Sequence, residues 1–518
     1  MHHPYQCLAT CRPSTDGPHY LLAASGHKLF SVGLEDGIIV SRWPKTDEND
    51  IKIETPEATE SEMAGPPTKK RRLSVTNDRE ILPNIIKLAV THSQQHVVVV
   101  TGEDKCIRVF YISPQGQLSQ LSMRAMPKRP CALAFTSDDS EIFCADKFGD
   151  VYSLPLLLDP DKEAEYIAAQ QAAALKEASE YAPAATELTV HSAANRRALE
   201  NQLQQAKEKA NQKLKEWLPF SHQLLLGHVS LLTDMLVTTI RTSEEEEKPR
   251  TYILTSDRDE HIRVSRGPPQ AFVIEGYCLG HHEFVNKLCL AEPGVLVSGG
   301  GDRELIVWDW LRQKAVNRID ILDAVKRARL HVRTGSNDSD TSEKQGEQAS
   351  QVETGLEEKD SKLAVSGLWL FADASLETEP QLLITCEGVP AVLYIPVAAL
   401  HNEDAQGEIS FLPLDGNPLD VVSTGNTLLV STDNIHCAGS TTDIETSEAF
   451  RPRLQAFQAL GEELGGAAVF KPDQHLNNKL VQLNEQSTVG WHEKALQTLL
   501  YSVENLRKRA GVDDSGTD

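Results

Sequence analysis

The chain has 518 residues, with 51 basic against 75 acidic side chains and a formal charge of −24. With 40% hydrophobic and 24% charged residues it has the composition of a soluble globular protein, and no apolar run approaches the ~18 residues a membrane-crossing helix needs. The first twelve residues lack a basic stretch followed by an apolar core, so no secretory signal is expected, and nine scattered cysteines point to reduced thiols.

Most of the charge is local. Segments 46–62, 244–247, 336–360 and 511–518 together carry −19 of the −24. They lack apolar residues to bury and are expected as solvated loops and a tail. The remaining body is nearly neutral, and no basic face announces nucleic acid.

Along the chain, short runs rich in Val, Ile, Leu, Phe and Tyr are punctuated by turns: 19–26, 28–33 and 38–43, then 85–90, 96–101 and 106–112, then 131–136, 141–145 and 150–154. Such runs are strands. Once the polar insertions are discounted they recur at about 40–60 residues, the period of propeller blades. Seven blades are expected, at about 20–43, 83–115, 129–155, 224–268, 275–316, 362–398 and 409–437. The expected fold is all-β: a seven-bladed WD40 β-propeller with helical and disordered insertions and a C-terminal helix. Residues 5–10 are expected to pair with the last blade, removing an open sheet edge.

The domain expectation follows from these runs. Blades one to three occupy 1–155, with a charged loop at 46–77, and a helical insertion fills 159–218, divided by Pro183. Blades four and five occupy 224–316, and a disordered acidic loop fills 336–360. Blades six and seven occupy 362–440. An amphipathic helix is expected over 491–510, where Trp491, Ala495, Leu499, Val503 and Leu506 recur at helical spacing.

The fifth blade carries the most complete repeat signature. Gly280-His281 opens it, Ser298-Gly299-Gly300-Gly301-Asp302 makes a turn, and Trp308-Asp309 closes it. His281, Ser298, Asp302 and Trp308 are expected to form a buried hydrogen-bonded chain, tolerable only when every member is satisfied. The fourth blade has His228, Thr255 and Asp259 at matching positions but Ser265 in place of the tryptophan, so its chain is expected to be incomplete. Asp104 and Asp146 hold the corresponding turn in earlier blades without a Gly-His partner.

Against this background a few glycines, histidines and cysteines are the candidates for chemistry. The three glycines at 299–301 lie between two strands and not before a helix, so a tight turn accounts for them and a cofactor loop does not. No Walker or Gly-x-Ser-x-Gly sequence occurs. His2, His3, Cys7 and Cys11 lack a second ligand pair at zinc-site spacing, so no metal is expected. No catalytic residue is nominated. Lys69, Lys70, Arg71 and Arg72 form a short basic run that fits a nuclear-import signal, against the plainer alternative of a solvated charge run. The expected location is the nucleus, with the cytoplasm as a further site.

The stretch from Tyr252 to Ser265, YILTSDRDEHIRVS, packs five charged residues and a histidine around one turn, and IEGYCLGHHEFVNK follows from Ile274 to Lys287. Together these resemble the fungal non-catalytic WD-repeat subunit of the tRNA (guanine-N7)-methyltransferase, tightly over about 250–310 and more loosely elsewhere. The resemblance implies a scaffold without its own cofactor. It would bind and stabilise, as a heterodimer, a separate Rossmann-type subunit that uses S-adenosylmethionine to form N7-methylguanosine at position 46 of tRNA. It also implies that Arg263 pairs with an acidic residue of that partner, with Asp257, Arg258, Glu260 and His261 completing the charged patch and Asp259 retained by the turn. Alternation with Ile262 and Val264 is expected to turn Arg263 away from the apolar side of its strand. tRNA is met through the complex, and no membrane is involved. The rival is a generic WD40 interaction module such as a ubiquitin-ligase substrate receptor. Against it, Trp308-Asp309-Trp310-Leu311-Arg312 places the arginine one residue later than such adaptors require.

Overall fold

The structure is a computed structural model that describes residues 2–45, 82–180, 185–186, 189–216, 218–241, 249–335, 362–372, 379–402, 404–446, 450–460, 469–485 and 492–508. Among the described residues, twenty-eight strands form seven sheets, each of four strands in simple antiparallel order. The blades span 7–43, 85–125, 130–227, 232–279, 285–320, 365–413 and 418–472, so the seven-bladed expectation holds. The basic run at 69–72 and the acidic loop at 336–360 lie outside the described residues.

Both faces of each blade are packed, because each blade lies between two others. The core divides accordingly into seven clusters, one per interface. Between blades four and five, for example, Tyr252, Leu254, Ile262 and Val264 meet Val285, Leu296, Ile306, Trp308 and Trp310. Burying a side chain of this size contributes roughly 1.5–3 kcal/mol. The inner strands approach one another so closely that Gly300 has no room for a side chain: a Cβ there would lie 1.8 Å from the Phe284 carbonyl oxygen. The glycine run thus serves strand packing and a turn.

Four sequence expectations are corrected. Residues 5–10 do not join the last blade. Cys7–Cys11 is the innermost strand of blade one, paired with Tyr20–Ser25, and blade seven completes itself with Leu454–Leu460 and Val469–Pro472. Those two strands extend it well beyond residue 440, behind a polar stretch that hid them. Repeat boundaries are also offset from blade boundaries. Gln223–Gly227, just ahead of His228, is the outer strand of blade three, paired with Asp150–Pro155. The helices Pro160–Glu180 and Ala193–Glu216 are therefore inserted between two strands of one sheet. Finally, the C-terminal helix covers only Glu493–Leu500 and buries Leu496, not Ala495. Val503 and Leu506 lie beyond it in an irregular segment with one short turn, Glu504–Leu506.

With no exchanged strand, the seam between blades seven and one closes through side chains. Asp420 accepts the Leu8 amide at 2.7 Å, and Thr10 donates to the Ser423 carbonyl at 3.1 Å. Arg453, fully buried, donates to the carbonyls of His3 at 2.9 Å and Asn484 at 3.2 Å, and to that of Leu483. Its guanidinium lies 4.6 Å from the Tyr5 ring centre, and the Tyr5 hydroxyl donates to the Leu483 carbonyl at 2.9 Å. Replacing Arg453 by Met would remove one donor from each of three buried carbonyls, of which Leu483 keeps the Tyr5 hydroxyl and His3 keeps Ser25 Oγ. Arg453→Met is expected to lower stability by about 3 kcal/mol or more, measured as the urea-unfolding midpoint of the purified chain.

Candidate docking surface

Blade five forms the expected chain in full. His281 Nδ1 lies 2.6 Å from Asp302 Oδ2 and His281 Nε2 2.6 Å from Ser298 Oγ, which also accepts from Trp308 Nε1 at 2.8 Å. Burial alone would raise the Asp302 carboxyl. The hydrogen bond and charge of His281 outweigh it, so Asp302 sits below the usual carboxylate range. These residues hold the blade together and leave no group free for chemistry. Asp302→Ala should cost about 1–3 kcal/mol by removing the acceptor of His281.

Blade four is built differently. His228 Nε2 lies 2.9 Å from Thr255 Oγ1, but the carboxylate nearest His228 Nδ1 is Asp257, at 3.8 Å, and not Asp259. Asp257 is buried, and its Oδ1 caps the turn by accepting the amides of Asp259 at 2.9 Å and His261 at 3.0 Å. This is the side-chain turn geometry that aspartate favours. Asp146 does the same in blade three, accepting from Phe148 and Asp150. Asp104 accepts the Cys106 amide at 3.3 Å and also pairs with Arg108 at 2.5 Å.

Arg263 is the main correction. It is only 6% exposed, and it donates through Nε to Ser265 Oγ at 2.9 Å and through Nη1 to the Gly227 carbonyl at 3.0 Å. Strand alternation does not carry it to solvent, because in a propeller the far face of a strand meets the next blade. With serine at the tryptophan position, the guanidinium fills the space and ties blade four to the outer strand of blade three.

The rest of the turn reaches the surface. Arg258 and Asp259 are half-buried, His261 is exposed, and Glu260 occupies the left-handed region at φ 73°. Lys508 Nζ lies 3.1 Å from both Asp259 Oδ1 and Glu260 Oε1, and Arg258 Nε donates to the Leu506 carbonyl at 2.8 Å. Beside the turn runs the outer strand Ile274–Leu279, where Leu279 pairs with His261 and Tyr277 with Arg263. Leu279 is 61% and Tyr277 41% exposed, and Phe272, just before the strand, is 73% exposed. Sequence reasoning gave this strand no role. Its signal was apolar residues on an outer strand, which has no further blade strand to cover it.

Elsewhere, the inner strands enclose a cavity of about 540 Å³ lined in part by Lys87, Asp234, Lys287 and Asp420. Asp420 is pushed up to about 6 by burial, and both its oxygens accept backbone amides. Burial holds the Cys7 thiol on the wall well above its usual range. These groups brace the ring and do not form a nucleophile with a base. His3 is buried against the Pro4 carbonyl, Cys7 and Cys11 lie inside a strand, and Arg312 pairs with Asp309 at 2.7 Å.

Because Arg263 is buried, Arg263→Glu would set a carboxylate against the Gly227 carbonyl. It should destabilise the isolated chain by about 3–5 kcal/mol, visible as a large fall in melting temperature before any partner is added.

The sequence profile of the tRNA methyltransferase TRM82 WD40 domain matches residues 21–457. A tRNA (guanine-N(7)-)-methyltransferase non-catalytic subunit TRM82 from Phaeosphaeria nodorum is 40% identical, with 99% of this chain and all of that protein aligned. The same-named subunit of Aspergillus clavatus is 35% identical over 98% of each chain, and that of Coccidioides immitis 36% over 95% of each. The propeller, its blade-four signature and these full-length matches agree: the chain belongs to the TRM82 family, the WD-repeat non-catalytic subunits of the tRNA (guanine-N7)-methyltransferase.

Proposed function

We propose that the chain holds its catalytic methyltransferase subunit, as a one-to-one heterodimer, on the charged turn and outer strand of blade four. The observation that carries this is the pairing of Asp257-capped charges with an uncovered apolar stripe, Phe272, Tyr277 and Leu279, on one rigid blade. An apolar centre with a polar, charged rim is the anatomy of a specific interface, and mixed-sign charges fix register and reject wrong partners. The turn's backbone is already fixed, so docking requires little further ordering there.

In this arrangement the propeller contributes geometry and the partner contributes chemistry. S-adenosylmethionine is bound by the catalytic subunit, and tRNA is engaged by the assembled pair. The basic run at 69–72 suits nuclear import of the chain. Holding a partner's active site in one conformation contributes to rate because misplacement of reacting groups is costly.

Tyr277→Ala tests the surface. The side chain is partly exposed on an outer strand, so the fold should persist, while loss of an aromatic anchor should raise the Kd for the catalytic subunit about 10- to 100-fold. Calorimetry on the purified subunits measures this; unchanged affinity in a folded sample would place the partner elsewhere. The chain alone is expected to transfer no methyl group from S-adenosylmethionine to tRNA, and to gain that activity only with its partner.

A further inference from the structure

The last described residues run across one face of the ring, over the turns between second and third strands. Tyr501, buried on blade seven, donates to Asp433 Oδ2 at 2.5 Å and accepts from Asn417 Nδ2 at 3.1 Å. On blade six, the Glu387 carboxylate accepts the amides of Val503 at 2.8 Å and Glu504 at 3.1 Å. Further on, Arg507 donates to the carbonyls of Gly301 at 3.2 Å and Leu363 at 2.9 Å and pairs with Glu283 at 3.0 Å. The described part of the segment reaches blade four, with the Leu506 carbonyl on Arg258 and the Lys508 ammonium between Asp259 and Glu260.

The grip weakens along this path. Tyr501 is held in a buried, hydrogen-bonded pocket, whereas the Lys508 side chain is 52% exposed, and exposed ion pairs contribute little. Arg507, its side chain 18% exposed, holds the segment on blade five, so the contacts of Lys508 and of the Leu506 carbonyl with blade four can be given up while the segment stays on the protein. What it covers is the charged turn of blade four.

We propose that residues 506–508 are an internal stand-in for the catalytic subunit, seated on the blade-four turn until the subunit displaces them. This rests on the docking assignment above and specifies its chemistry. The bound segment shows what the turn accepts: a cation between Asp259 and Glu260, and a carbonyl or carboxylate on Arg258. The displacing surface therefore presents a lysine or arginine to the two carboxylates and an oxygen acceptor to Arg258. While the segment is seated, apparent affinity is reduced in proportion to the open fraction.

The test uses the full-length chain and the purified catalytic subunit. Lys508→Glu repels the segment's end from Asp259 and Glu260 and should tighten the complex by about two- to ten-fold. The double variant Asp259→Lys, Glu260→Lys should weaken it at least ten-fold. Combining all three changes restores the segment's own pairing with reversed charges, and should bind no better than the double variant. Hydrogen exchange gives an independent reading: the amides of Leu506 and Arg507, bonded to Val503 and Glu504, should exchange faster when the subunit binds. Unchanged or weaker binding by Lys508→Glu, or slower exchange at these amides, would overturn the stand-in. If the carboxylate reversals leave affinity unchanged as well, the docking assignment itself fails. If they weaken binding while Lys508→Glu does not tighten it, only the stand-in fails.

Discussion

The seam between the last blade and the first sets the conditions for the rest of the molecule. A ring of sheets held by side-chain packing is only as strong as its weakest joint, and this joint has no shared strand. Arg453 meets that demand by gathering the carbonyls of His3, Leu483 and Asn484 around one buried guanidinium, with Tyr5 beneath it and the Asp420 carboxylate on the Leu8 amide. Groups that need strong donors and acceptors inside a protein are costly when unpaired. The seam is therefore specific: few other arrangements would satisfy all of them together.

Blades four and five solve one packing problem in two ways. Blade five uses the neutral Trp308 indole to reach Ser298; blade four substitutes Ser265 and lets Arg263 span the space. The second solution places a charge inside the ring, and burial lowers the guanidinium's pKa from its usual value. It also links two blades, since the Gly227 carbonyl belongs to blade three. The blade that presents the charged turn is in this way braced against blade three.

Much of this was legible in the sequence. Alternating apolar runs, the repeat period and the pairing of Gly-His with Trp-Asp specify blades and the His281 chain, because both depend on local pattern. Three features were not legible, each because it depends on neighbours distant in sequence. Arg263 alternates correctly with Ile262 and Val264, yet alternation in a propeller leads to another blade and not to water. Asp257 and Asp259 are equally plausible turn residues, and only the path of His228 selects the first. Leu454–Leu460 has strand character but follows a polar stretch that concealed its membership in blade seven.

The position of Cys7–Cys11 in its own blade has a consequence for how the protein is made. In a ring closed by strand exchange, the first strand emerging from the ribosome waits, unpaired, for the last blade to be synthesised. Here it pairs at once with Tyr20–Ser25, and every blade but the third is assembled from nearly contiguous chain. Blades can then form in order as they emerge, as folding units do during synthesis. Blade three must hold its place while the helical insertion is completed and Gln223–Gly227 returns. What remains once the last blade is made is the docking of two finished blades, with no inner strand left waiting for a distant partner.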